Sequence, residues 1–195
     1  MFKSEKSLIA ALKNPSQKER AFSALVTQYK ERLYWHIRRM VWLHEDADDA
    51  LQNTFIKVYR NISHFKEASK LYTWLYRIAT NETLSLLAKK AKQKHISIET
   101  LTQQTLSQLQ DDVYFDGNTI QLKLQKAIAK LPERQRLIFN MKYFEDLTFS
   151  ELSDILDTSV GGLKSSYHHA VKKIKLELSQ FETFLEKTHQ TNNGN

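Results

Sequence analysis

The chain of 195 residues has no cysteine, which removes disulfides, thiolate metal sites and cysteine nucleophiles together. Glycine is scarce at four residues and proline at two, and no run alternates like a strand, so a β-rich fold is excluded. There is no glycine loop to cradle a phosphate. No apolar stretch approaches membrane-spanning length, and the opening Met1-Phe2-Lys3-Ser4-Glu5-Lys6 is too charged for a signal peptide. A soluble, cytoplasmic protein is expected. Lysine and arginine are missing altogether between Lys94 and Lys123. What is present points one way: long runs of Leu, Lys, Gln, Glu and Ala predict an all-α fold, and 41% hydrophobic residues suffice for real cores. A net charge of +7 and a pI near 9.4 favour a polyanionic partner, nucleic acid above all.

Taken in order, the chain predicts a short helix near Ser4 to Leu12, broken by Asn14-Pro15-Ser16. A long helix from about Gln17 to Trp42 follows, with Phe22, Leu25, Val26, Tyr29, Leu33, Ile37 and Val41 on one face and Lys30, Arg32, Arg38 and Arg39 behind. In the next helix Ala50, Leu51, Phe55 and Val58 face inward, leaving Asp48, Asp49, Gln52, Asn53 and Ile56 on an outer ridge. That ridge is either a solvated face or a docking surface. A loop of mixed polarity, Asn61 to Ser69 with Phe65 as its apolar anchor, leads into the helix Leu71-Tyr72-Thr73-Trp74-Leu75-Tyr76-Arg77-Ile78-Ala79-Thr80-Asn81.

Here Leu71, Leu75, Ile78 and Ala79 form the apolar stripe, and Tyr72, Trp74, Tyr76, Arg77, Thr80 and Asn81 lie around the rest. Aromatics outside the stripe, followed by Lys89, Lys90, Lys92 and Lys94, suit unstacked bases and phosphates. The alternative is that Trp74 and Tyr76 widen the core face. The segment that follows, acidic at Glu99, Asp111, Asp112 and Asp116 and rich in Gln, Thr and Ser, predicts a flexible linker, although such a segment can also imitate nucleic acid.

From Thr119 a second helical unit begins. Pro132 is placed to open a helix carrying Leu137, Ile138, Met141 and Phe144 inward. Thr148-Phe149-Ser150-Glu151 spells a capping box, Asp157-Thr158-Ser159 a turn, and Ser159 the cap of a last helix from Val160 to about Leu178. Short helix, tight turn and longer helix make a helix-turn-helix. Its second helix keeps Lys164, Ser165, His168, His169 and Lys172 outward, able to read base edges and grip phosphates.

Two blocks together resemble the extracytoplasmic-function (ECF) sigma factors of bacterial RNA polymerase, across roughly residues 17 to 178. One runs from Asp46-Ala47-Asp48-Asp49-Ala50-Leu51-Gln52 through Phe55-Ile56-Lys57-Val58-Tyr59 to Thr73-Trp74-Leu75-Tyr76-Arg77-Ile78-Ala79-Thr80-Asn81. The other runs from Leu131-Pro132-Glu133-Arg134-Gln135-Arg136 through Tyr143-Phe144, Leu147-Thr148 and Glu151-Leu152 to Val160-Gly161-Gly162-Leu163-Lys164-Ser165.

The resemblance implies two small helical domains joined by a flexible acidic linker: residues 1–94 for polymerase and the minus-ten element, a linker at 95–118, a helix-turn-helix at 119–180 for the minus-thirty-five element, and a disordered tail at 181–195. It assigns Asp48, Asp49, Gln52 and Asn53 to core RNA polymerase. Phe65, Lys66, Ser69, Lys70, Tyr72, Thr73, Trp74, Tyr76, Arg77, Asn81, Lys89 and Lys90 go to the minus-ten DNA. Gly162, Lys164, Ser165, Ser166, His168, His169 and Lys172 go to the minus-thirty-five DNA.

Implied partners are core polymerase, double-stranded and locally melted promoter DNA and an anti-sigma factor, with no membrane insertion, no cofactor, no metal and no catalysis. The chain departs from the family where Arg is usual at Ser166 and His169 and common at Lys164, and Asn53 replaces a common acid. Lysine lacks the guanidinium fork that reads guanine bidentately, so a weaker, more polymerase-dependent grip on the upstream element is expected. The rival functions are a stand-alone helix-turn-helix regulator and a nucleic-acid enzyme. Against the enzyme, Asp48-Asp49 lack metal-ligand partners at suitable spacing.

Overall fold

Helix ends in this chain are set by short polar side chains acting on orphan backbone groups. The computed structural model describes residues 2, 4–41, 43–97, 100–101 and 119–192. Helix α1 (Glu5–Lys13) starts at a capping box: Ser7 donates its N–H to Ser4 Oγ at 3.2 Å, and Ser4 donates its own to Ser7 Oγ at 3.1 Å. Asn14 then turns the chain by accepting the Ser16 N–H on its side chain at 3.0 Å. Helix α2 (Lys18–Val41) buries Leu25, Tyr29, Leu33 and Ile37 along one stripe. Helix α3 (His44–Asn61) packs on α2, a 3₁₀ turn (Ile62–His64) reverses the chain, and α4 (Leu71–Gln93) packs on both. Leu101 is buried in the same core, so apolar packing continues beyond Lys94. The rest of the expected linker, 98–99 and 102–118, lies outside the described residues.

The second unit comprises α5 (Thr119–Ala129), α6 (Glu133–Tyr143), α7 (Phe149–Leu156) and α8 (Val160–Asn192). Pro132 sits at the cap of α6, one place earlier than expected. The Thr148–Glu151 capping box is present, with Glu151 donating its N–H to Thr148 Oγ1 at 3.2 Å and Glu151 Oε2 accepting the Thr148 N–H at 2.9 Å. Asp157 ends α7 in the left-handed region at φ 50°, and Ser159 Oγ accepts the Gly162 N–H at 3.3 Å to start α8. The helix-turn-helix is therefore formed as its sequence predicts. The backbone of α8 runs to Asn192, past the end expected near Leu178 and through most of the segment expected to be a disordered tail. No glycine or proline interrupts residues 179–193, so nothing local stops the helix.

The two units are packed together, not only tethered. Helix α7 lies on α4 and α6 touches α2, and Leu137, Ile138, Met141, Leu147, Leu152, Ile155 and Leu163 join the apolar cluster built by α1 to α4. A smaller cluster of Ala127, Ile128, Leu131, Phe139, Ala170 and Ile174 holds α5, α6 and α8 together. This packing explains a misplaced expectation on α2. Arg38 and Arg39 were assigned to a basic outer face, yet Arg38 is buried and Arg39 half-buried because α2 is covered at its C-terminal end.

Candidate nucleic-acid and polymerase interface

Three surfaces carry the residues singled out by sequence. On α3, Asp48, Asp49, Gln52 and Asn53 are all exposed on one ridge, continued by Ile56 at 40% exposure. Asp48 faces His44 at 3.5 Å, but both are so solvated that the contact contributes little. Asp46 behaves differently: it is buried and paired with Lys90 of α4. Acids in the first turn of α3 favour its positive end, and the four ridge residues remain free of structural duty in the core. The ridge thus presents two carboxylates, two amides and one large aliphatic side chain to solvent.

The loop before α4 and its first three turns form the second surface. Trp74 is half-buried with its ring 5.0 Å from that of Phe65, and Arg77 and Asn81 are exposed. Lys66 and Lys89 are exposed, and Ser69 and Tyr72 are half-buried. Four expected contacts, and the expected outward placement of Thr80, need correction. Phe65 and Thr73 are buried at 4% and 3%, so Phe65 supports Trp74 from beneath and Thr73 faces the packed side. Tyr76 and Thr80, placed by sequence outside the apolar stripe, are buried as well. Thr80 Oγ1 meets His36 Nε2 at 2.9 Å, and Tyr76 donates its hydroxyl to Glu145 Oε2 at 2.8 Å. Lys90, assigned to phosphate, is held by Asp46. A wide packed face arises because α4 is covered by α2 and α3 on one side and by α7 on another.

Burial and the carboxylate of Glu145 push the Tyr76 phenol up, which keeps it a hydrogen-bond donor. Burial, helped by the charge of Arg39, pushes His36 down to about 3, so its imidazole is neutral.

Sequence reasoning missed the acids that meet this surface. Glu145, in the turn after α6, accepts from Arg39 and Tyr76, and the Arg39 guanidinium lies 4.5 Å from the centre of the Phe144 ring. Glu151 completes its capping box with one oxygen and with the other accepts from Tyr72 and, at 3.1 Å, from Lys70. Trp74 and Arg77 line a groove of about 480 Å³ with Asp154 and Asp157 of the second unit on its far wall. The partners lie more than sixty residues apart in the chain, so no local pattern could reveal them.

On α8, the third surface, Gly162, Lys164, Ser165, His168, His169 and Lys172 are exposed and Ser166 is half-buried. A side chain at Gly162 would press on Ser159 Oγ at 3.2 Å, the atom that caps the helix. Tyr167 turns inward to stack on Phe139 with centroids 5.9 Å apart, leaving the polar residues outward.

Residues 25–93 match the family described as Sigma-70 region 2, and residues 121–174 match that described as Sigma-70, region 4. The ECF RNA polymerase sigma factor SigW of Bacillus subtilis is 32% identical over 166 residues, 81% of this chain and 89% of that protein. The chain belongs to the ECF sigma factors. Sigma factors are the subunits that direct RNA polymerase to promoters, and all three surfaces fall inside the two matched segments. Solved sigma structures share the fold. The complex of CnrH with the cytosolic domain of CnrY superposes with a TM-score of 0.65 at 20% identity, covering 90% of this chain and 97% of that one. The sigma factor RpoE bound to the anti-sigma factor NepR from Bartonella quintana gives 0.63 at 20% identity, covering 81% and 96%. No helix among the described residues is long and apolar enough to cross a membrane.

Proposed function

We propose that this sigma factor divides promoter recognition among its three surfaces in the cytoplasm, with no chemistry of its own. The α3 ridge of Asp48, Asp49, Gln52 and Asn53 docks on core polymerase. The α4 face captures an unstacked base of the minus-ten element through Trp74, Arg77 and Asn81, and Lys66 and Lys89 hold the backbone. The α8 face of Lys164, Ser165, Ser166, His168, His169 and Lys172 reads the minus-thirty-five duplex. The observation that carries the reading is on α4, where Arg77 and Asn81 are exposed and half-buried Trp74 still reaches the surface while Leu71, Leu75 and Ala79 are buried. An anti-sigma partner is part of the proposal, supported by the RpoE–NepR complex of the same fold.

Magnitudes fix what the sigma factor contributes to melting. Opening duplex DNA costs about 1.4 kcal/mol per step, and stacking a base on an aromatic ring returns about 1–3 kcal/mol. One or two pockets therefore nucleate a bubble, and core polymerase must extend it. Opening of the protein comes first, because α7 covers part of the α4 face and Glu151 occupies Tyr72 and Lys70. Run-off transcription with reconstituted holoenzyme on a genomic promoter library tests the assignment. Replacing Trp74 with alanine is expected to lower initiation about tenfold or more, the loss of one stacked base. Phe65→Ala should instead lower stability by about 3–5 kcal/mol, as for a buried aromatic. A chain that ignored core polymerase, or Trp74→Ala and Asn81→Ala variants that initiated normally, would contradict the proposal.

A further inference from the structure

Helix α1 precedes the first matched segment, which begins at residue 25. It nevertheless holds both ends of the loop that delivers the chain into α4. Lys13 Nζ meets Glu67 Oε1 at 2.6 Å and stands 6.0 Å from the centre of the Phe65 ring. At the other end, Glu5 Oε1 accepts the Leu71 N–H at 3.1 Å. Leu71 is the first residue of α4, and its cap residue Lys70 makes no side-chain capping bond, so Glu5 supplies from a distant helix the acceptor that the local sequence lacks. At the first of these contacts Glu67 adopts φ 58°, a left-handed conformation that a residue with a β-carbon holds only when its surroundings impose it. Phe65, beside Lys13, is the residue on which Trp74 rests.

Helix α1 is itself well anchored by buried Leu8, Ile9, Ala11 and Leu12, so it is a firm base for these two contacts. The Lys13–Glu67 pair is substantially exposed, and such pairs add little to global stability. Their effect is local, on the loop. We infer that Glu5 and Lys13 are positioning residues for minus-ten recognition, fixing residues 65–71 and thereby setting how sharply the captured base is discriminated. The inference rests on the assignment of the α4 face to the minus-ten element.

The test uses full-length protein in reconstituted holoenzyme and a promoter library randomised at both elements, with sequencing of transcribed templates. Lys13→Met combined with Glu5→Ala is expected to reduce the preference for the best minus-ten base over the worst about threefold, the scale of an exposed ion pair. Preference at the minus-thirty-five element should not change. The exchanged pair Lys13→Glu with Glu67→Lys should recover much of what Lys13→Met alone loses. The inference is overturned if the double variant keeps full minus-ten discrimination while Trp74→Ala loses it. It is also overturned if both elements lose preference together, which marks general unfolding, or if the exchanged pair recovers nothing. Unchanged discrimination in Trp74→Ala would instead remove the α4 assignment on which the inference stands.

Discussion

His36 is 2% exposed and shares its Nε2 with Thr80 Oγ1, and its ring lies 4.9 Å from that of Tyr76. Its pKa falls to about 3 in the fold because burial, then the charge of Arg39, disfavours the imidazolium. An unfolded histidine takes up a proton near pH 6.5 and the folded one does not, so the unfolded chain binds more protons between those values. Stability is therefore complete above about pH 6.5 and declines as pH falls, by about 1.4 kcal/mol per unit. Unfolding free energies from urea titrations at pH 7 and pH 5 should differ by about 2 kcal/mol more in the wild type than in His36→Gln. Equal pH sensitivity would contradict the burial argument. At this scale the sequence was informative where one helix alone decides a residue's place. Asp48, Asp49, Gln52 and Asn53 fall on the open face of α3 by periodicity. It was uninformative for Tyr76 and Thr80, whose partners Glu145 and His36 come from distant elements.

Elements were legible where their ends carry a chemical mark. The Thr148 capping box, the Asp157 turn and the Ser159 cap all stand where short polar side chains were read. The extent of α8 was not, since no residue before Gly194 argues for a stop and a helix end without punctuation has no local signal. Contacts between elements were equally hidden. Lys90 lies in a run of lysines that reads as a phosphate grip, yet it joins α4 to buried Asp46 at the start of α3. Lys90→Met should therefore destabilise the protein by about 1–3 kcal/mol, the cost of a buried acceptor left unmet. Lys89→Ala, on an exposed position, should change stability by no more than about 0.5 kcal/mol. Chemical denaturation of the two variants separates a helix-joining lysine from a solvent-facing one, and equal effects would contradict the distinction.

For the molecule as a whole, the interface between the two units is held by Glu145 and Glu151 against Arg39, Tyr76, Tyr72 and Lys70. Asn140 adds a further bond across it, donating to the Arg39 carbonyl at 3.4 Å. The function proposed above requires this interface to part. The absence of native cysteine makes the motion easy to follow, with dyes on Arg60→Cys and Lys173→Cys, two exposed positions in separate units. Core polymerase is expected to lengthen the distance, and Glu145→Gln with Glu151→Gln to lengthen it without polymerase. Glutamine preserves the α7 cap, so the second effect reports the interface alone. An unchanged distance in both cases would contradict opening. The ammonium of Lys70 and the hydroxyl of Tyr72 that bind Glu151 are the kinds of group that bind phosphate, so under the proposed function the second unit and the promoter strand would be rivals for the same donors. On that proposal a strand reaching the α4 face would first have to evict an intramolecular tenant, and nucleic acid lacking a well-fitting base would be turned away at the door.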